Sequence, residues 1–455
     1  MSIPSVVAIV VTLIGGWALI KRYQSNMVLL GAGLIMIIAS IVLGDVSNVL
    51  PKGAKSSGLI WFDIIDLMRV ITAKQASGIG LIIMVAGGFA SYMNQIGASD
   101  ALVRVCTAPL RVIKSPYIVL SLAYMLGQML FVVIPSAAGL AMLLLVLVYP
   151  ILIGLGVSRA AAAAAIATTG GMAMGPAAGT AILAARTANL DPIIYFVKFQ
   201  IPVGVPIMLT VAVLHFFVQR YLDKKDADIY ETVEETKKEI KDSPGWYAIF
   251  PVLPVILLIY FSNLGHGSIN LHTITALFLV WLGSVIVELI RMRSVNKVFK
   301  DATAMFKGMG SMMTSIVMLI VAAEMFANGL IMSGLIDSII KGSQGVGLGM
   351  KAMTTLLTFI VGLVTFLTGS GVGAYTSFAS LCTTVAPALG GTVEMMITPM
   401  QFAAGMFRAI SPVAGVIIAV AAAVGMSPLG VVRRTFIPIA GGIVTMMVAN
   451  FLLLQ

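Results

Sequence analysis

"RAISPVAGV" runs from Arg408 to Val416, inside an apolar stretch that otherwise reads as membrane helix. Lipid tolerates neither a fixed charge nor unpaired backbone, so an arginine, a proline and a glycine at this depth need a physical reason. Proline removes a helical hydrogen bond and clashes with the preceding turn, and glycine lets the chain leave the helical region cheaply. The helix must therefore break here. The amide and carbonyl groups it frees must face protein, water or a ligand, because each costs several kcal/mol if left unpaired in hydrocarbon.

Working outward, the 455 residues are 59% hydrophobic and 10% charged, with a mean hydropathy of +1.05. One soluble core could not bury that much apolar side chain. Apolar runs of about twenty residues match a hydrocarbon core of about 30 Å at about 1.5 Å of rise per residue, and the dyad alternation of barrel strands is missing. The first run begins at Ile3 without a preceding positive residue or a following small-residue cleavage site, which predicts a retained helix. Two cysteines, Cys106 and Cys382, and the histidines His215, His266 and His272 show no metal-ligand spacing.

The pattern predicts an all-α polytopic membrane protein made of two repeats. The first spans 1–222, with scaffold helices within 1–97, a segment with a small-residue break at 117–153, a broken helix at 157–189 and a helix at 192–221. A charged linker, 223–245, joins it to the second repeat, 246–455. There the scaffold helices lie within 246–333, the second broken segment at 350–388, a broken helix at 395–424 and a last helix at 429–453. Hydropathy alone leaves 117–153 and 350–388 open between two crossings and one re-entrant hairpin. Two amphipathic stretches, Leu59 to Ala73 and Val295 to Lys307, are expected to lie in the interface plane.

A shift of 236 residues places Pro176, Gly179, Pro192 and Pro202 on Pro412, Gly415, Pro428 and Pro438, and a shift of 237 places Pro150 on Pro387. Prolines in register mark matching helix starts and breaks, which predicts an internal duplication. Five spans plus a hairpin per half is an odd number of crossings, so the second half should be inverted. Most of the 28 lysines and arginines then collect on one face, which the positive-inside rule makes cytoplasmic, with both termini outside. The net charge of +10 needs no nucleic-acid partner.

Four breaks result: "PSAAG" (Pro135 to Gly139), "GPAAGT" (Gly175 to Thr180), "TGSGVG" (Thr368 to Gly373) and "ISPVAG" (Ile410 to Gly415). Broken helices in inverted halves bring helix N-termini together near the midplane, where N–H groups and positive dipole ends favour an anion. The expected substrate contacts are Ser136, Ala137, Ala138 and Gly139, then Pro176, Gly179 and Thr180, then Ser370, Gly371 and Gly373, and finally Arg408, Ser411, Pro412 and Gly415. Arg408 can bind a carboxylate bidentately, or it can pair permanently with Glu324, the charge partner within the span Met313 to Ser333. Asn94, Gln128 and Asn328 read as interhelical hydrogen bonders. A channel would need a continuous polar lining and an enzyme a nucleophile with its base, and the sequence shows neither.

"GFASYMNQIGASD" (88–100), "SPYIVLSLAY" (115–124), "VSRAAAAA" (157–164), "HFFVQRYLDKK" (215–225), "LHTITALFLVW" (271–281), "VMLIVAAEMFANGL" (317–330), "TGSGVGA" (368–374) and "RAISPVAGVIIAVA" (408–421), in this order and spacing, resemble the anaerobic four-carbon dicarboxylate carriers of the DcuC type. The resemblance covers nearly the whole chain. It implies membership of the ion transporter superfamily, re-entrant hairpins, and a dimeric, elevator-type carrier of succinate, fumarate and malate in a bacterial inner membrane, working in anaerobic efflux or exchange. The superfamily's hairpin-tip serine, asparagine and threonine fall on Ser136, Ala137 and Ala138, and on Ser370, Gly371 and Val372, so only the serines match. Sodium near Ser136 and Ser370, a proton, or plain exchange all stay open as the coupling. The resemblance implies no other cofactor. The bland "GPAAGT" also admits a monocarboxylate, a short fatty acid or an amino acid as substrate.

Overall fold

Leucine, isoleucine, valine, methionine and alanine fill long uncharged runs of this chain, and in lipid such runs satisfy their backbone only as helices. The computed structural model describes all residues except 1, 22, 45, 47, 52–53, 226–242, 262–270, 336–337, 339–348 and 455. Among the described residues, all regular structure is helical. Seven helices among the described residues are long and apolar enough to cross a membrane, or eight if the bent pair Ile60–Ser77 and Gly80–Gln95, which meet at 48°, is one span. Most of the charged linker expected at 223–245 lies outside the described residues, and Asp223 to Lys225 simply end the helix Ile201–Lys225.

The two stretches expected in the interface plane behave differently. Val295–Met312 is no separate helix: it continues through a π-helical turn, Met313–Val317, into Met318–Met332. At 38 residues this helix is about 57 Å long, nearly twice the hydrocarbon thickness, so its lysine-bearing end extends beyond the apolar part. It packs along Ile79–Gln95 at one end and along Ser25–Leu43 at the other. Ile60–Ser77 buries Ile64, Leu67 and Ile71 against Ile37, Val321 and Met325, while Asp66 and Arg69 pair on its outer face. Amphipathicity of this kind marks a helix seated on the bundle as well as one seated on lipid headgroups, and periodicity cannot separate the two.

Both stretches with a small-residue break are helix, turn, helix. Pro116–Phe131 turns at 132–136 into Ala137–Leu147 and Tyr149–Gly154, and Met350–Thr368 turns at 369–370 into Gly371–Ala379 and Cys382–Ala388. The broken helices are Arg159–Thr168 with Gly179–Thr187, and Val393–Met406 with Gly415–Ala423. The long helices Ile201–Lys225 and Pro428–Leu453 pack side by side behind them.

One charged knot fixes the base of this assembly. The Asp223 carboxylate accepts from Arg434 Nη1, from the Ser158 N–H at 3.2 Å and hydroxyl at 2.5 Å, and from the Tyr117 hydroxyl at 3.1 Å. It thereby ties the starts of the first hairpin and the first broken helix to both long helices. The Arg434 and Asp223 side chains are 1% and 9% exposed, so removing one charge strands the other in the interior. Asp223→Ala should cost about 3–5 kcal/mol, whereas Tyr117→Phe, losing one hydrogen bond, should cost about 1 kcal/mol. Thermal unfolding of the purified variants in detergent checks this; equal midpoints would contradict it.

Candidate functional site

The site is built from what the breaks leave unsatisfied. At each hairpin tip a serine caps the returning helix: Gly139 N–H donates to Ser136 Oγ at 3.2 Å, and Gly373 N–H donates to Ser370 Oγ at 3.3 Å. The same residue at the same step explains why both turns form, since a serine hydroxyl satisfies an orphan amide of the first helical turn.

The first broken helix is unwound over 169–178. Its backbone groups are met by buried side chains from three other elements. Gln128 Nε2 donates to Met172 O at 2.6 Å, and Met172 N–H donates back to Gln128 Oε1 at 3.2 Å. Gly175 N–H donates to Gln200 Oε1 at 3.0 Å, and Gln401 Nε2 donates to Ala173 O at 2.8 Å. Gln200 Nε2 joins the two amides by donating to Gln401 Oε1 at 2.9 Å. Arg408 Nη2 completes the set, donating to Gly170 O at 2.8 Å. Arg408 thus spans from one broken helix to the other.

In the second broken helix, the stretch from Arg408 to Ile410 is a short 3₁₀ turn. Thr435 Oγ1 donates to Ala409 O at 2.8 Å, and Ser411 Oγ donates to Phe366 O at 2.6 Å. Ser411 is fully buried and faces the second hairpin. Its hydroxyl fastens that hairpin to the broken helix.

Both hairpins and both broken helices meet at one cavity of about 80 Å³. Phe131 and Pro135 enter from the first hairpin, Ala173 and Ala178 to Thr180 from the first broken helix, Gly371 and Val372 from the second hairpin, and Ala404, Gly405 and Arg408 from the second broken helix. Ile316, from the π turn of the long helix, closes one side. The approach is close enough to demand glycine: a Cβ on Gly371 would stand 2.2 Å from Ala404 O, and one on Gly405 would stand 2.3 Å from Gly171 O. The lining residues include one arginine and no carboxylate. The helices Gly179–Thr187 and Gly371–Ala379 both start at this cavity, which adds two positive dipole ends to the guanidinium.

Of the residues expected to contact substrate, Gly179, Thr180, Gly371 and Arg408 line the cavity. Ser136, Ala137, Ala138, Gly139, Pro176, Ser370, Gly373, Ser411, Pro412 and Gly415 do not. The serines are occupied as caps or ties, Ser136 and Ala138 are exposed at the tip, and Gly415 faces open space. The alternative pairing of Arg408 with Glu324 is not formed. Glu324 accepts from Lys74 Nζ at 3.4 Å and from Gln75 Nε2, in a separate chamber beside Ile60–Ser77. It lies eight residues, about two helical turns, beyond Ile316, where it lines the chamber that holds Lys74.

Gln200 and Gln401 were not foreseen. A signal existed: each is an amide in an otherwise apolar segment, and an unwound strand needs partners of both polarities. Gln128, expected to bond between helices, does so, reaching from the first hairpin to the unwound backbone of the first broken helix.

The whole chain, residues 3–455, matches the family model described as DcuC, C4-dicarboxylate anaerobic carrier. It is 33% identical over 435 residues to the anaerobic C4-dicarboxylate transporter DcuC of Escherichia coli O6:H1, covering 96% of this chain and 93% of that one. It is 33% identical over 448 residues to the probable anaerobic C4-dicarboxylate transporter DcuC of Vibrio cholerae, covering 98% and 97%. Among solved structures, the YdaH transporter of Alcanivorax borkumensis shares the fold, with a TM-score of 0.64 at 16% identity over 94% of this chain and 98% of that one. These relatives are transporters and not enzymes. On this evidence of sequence and of broken helices meeting at one cationic cavity, the chain is a multi-pass membrane protein of the DcuC family.

Proposed function

We propose that this protein is a secondary carrier of small dicarboxylates of the succinate, fumarate and malate class, and that the cavity between the hairpins and the broken helices is its substrate site. One observation carries the proposal: Arg408 and two helix N-termini converge on a small cavity whose lining has no acidic side chain. Gln401 Nε2 donates to Thr180 Oγ1 at 3.3 Å, so the threonine oxygen is engaged as an acceptor and its own proton is available to a carboxylate. Arg408 keeps donors beyond the one given to Gly170 O, so it can hold the unwound strand and a ligand together.

The names of the related carriers support a four-carbon substrate. A monocarboxylate is the alternative, favoured by the single guanidinium in the lining. Proton coupling or exchange fits the tips better than sodium coupling, because Ala137, Ala138, Gly371 and Val372 beside the serines offer no side-chain oxygen to a cation. Two inverted repeats are supported by the matching serine caps and the prolines in register, and a periplasmic placement of both termini in a bacterial inner membrane by the lysine and arginine count. Elevator-type movement of hairpins and broken helices, in a homodimer, completes the proposal.

Purified protein in liposomes preloaded with succinate should show saturable counterflow of labelled dicarboxylates. Removing one partner of a desolvated charged contact costs about 2–5 kcal/mol, so Arg408→Ala should weaken dicarboxylate affinity at least about tenfold. Arg408→Lys should restore little, since a point charge lacks the planar fork. Unchanged affinity in Arg408→Ala would remove Arg408 from the substrate site.

Backbone contact gives a second check. Gly405→Ala and Gly371→Ala place a methyl against a carbonyl oxygen and should abolish counterflow, whereas Gly415→Ala, with open space around it, should retain it. Full counterflow in Gly405→Ala would show that the two broken helices need not touch.

A further inference from the structure

A second chamber, of about 620 Å³, lies beside the first. Its wall carries Lys74, Arg186, Glu324 and the hydroxyl residues Thr376, Ser380 and Thr383. Two of its walls are the far ends of the helices that start at the substrate cavity. Gly179–Thr187 begins there with Gly179 and Thr180 and reaches this chamber with Arg186, and Gly371–Ala379 begins there with Gly371 and Val372 and reaches it with Thr376 and Ala379. From Thr180 to Arg186 is six residues, about 9 Å along a helix, so the two chambers share the opposite ends of the same short helices.

The charges in this chamber are arranged for a carboxylate. Arg186 is exposed, and its guanidinium has no acidic partner among the described residues. Lys74 already holds a carboxylate, that of Glu324, at 3.4 Å, with the side chains 71% and 22% exposed. An exposed pair of this kind is weak and exchanges readily with a competing anion. Gln75 Nε2 also donates to Glu324, so the glutamate keeps a partner when Lys74 leaves it.

We propose that this chamber is a staging site for the dicarboxylate, distinct from the substrate cavity. Arg186 receives one carboxylate and Lys74 the other, and Glu324 is the internal occupant that the arriving carboxylate displaces from Lys74. The site concentrates the anion at the mouth of the route to Arg408 and releases it easily, because both cations are solvated. The choice of ligand rests on the dicarboxylate function proposed above. The plainer role for Arg186, complementing the C-terminal end of Gly179–Thr187, would affect stability but would bind nothing.

The test uses the full-length chain purified in detergent, with Cys106→Ser and Thr383→Cys. Thr383 is exposed in the chamber and Cys382 is buried, so the new thiol alone should report. The probe is an anionic methanethiosulfonate, and the rate of labelling is measured with and without succinate. Succinate should slow labelling at least about threefold, the scale expected for exposed charge contacts, and chloride at equal ionic strength should not. Arg186→Gln should abolish the protection, and Arg408→Ala should retain it. Protection that survives Arg186→Gln, that is lost in Arg408→Ala, that chloride reproduces, or that never develops would each overturn the staging site. Failure of the transport function is told apart from these by counterflow of the unmodified protein, which does not depend on the labelling result.

Discussion

The unwound strand at 169–178 is the feature on which the rest of this structure depends. Backbone amides and carbonyls cannot stay unpaired in an apolar interior, and a few such groups at several kcal/mol each would exceed the 5–15 kcal/mol by which a folded protein is typically stable. The chain meets this demand with three buried glutamines and one arginine. Gln128, Gln200 and Gln401 can each donate and accept, and together they satisfy groups of both kinds on Met172, Ala173 and Gly175. Arg408 takes Gly170 O. These side chains come from three elements, with Gln401 and Arg408 both on the second broken helix, so holding the strand open also fixes how those elements sit around it.

Function follows from the same arrangement. Interrupting a helix creates a new N-terminus, and capping the hairpin tips creates another, so the device that breaks the helices also aims positive dipole ends at one point. Glycines at 371 and 405 let the backbones meet there without side chains between them. What is left is a small cavity with an arginine at its edge. The cost of keeping Arg408 in the interior is offset in part by Gly170 O, and the remaining guanidinium donors favour a ligand that is both anionic and planar.

Much of this was legible in the sequence because prolines and glycines in apolar runs have few explanations. The four breaks, their place within helical segments and the intramembrane position of Arg408 follow from such residues. The partners of the breaks were not legible. Ser411 looked like a ligand group, yet its hydroxyl is turned to Phe366 O, a choice made by the packing of two elements distant in sequence. Glu324 looked like a partner for Arg408 because both are charges in apolar helices, yet its side chain faces Lys74. Helical depth can be read from sequence; the direction a side chain faces depends on which neighbour packs against it. Likewise, Val295–Met332 reads as an interfacial helix and a span because its hydrophobicity changes along its length, although its helical backbone is continuous through the π turn.

The most direct measurement is an experimental structure of the purified protein with succinate bound. Density for the ligand should lie between Arg408, Thr180 and the start of the helix at Gly371, with a carboxylate on the guanidinium. Ligand density away from the breaks, with Arg408 still bonded only to Gly170 O, would contradict the account.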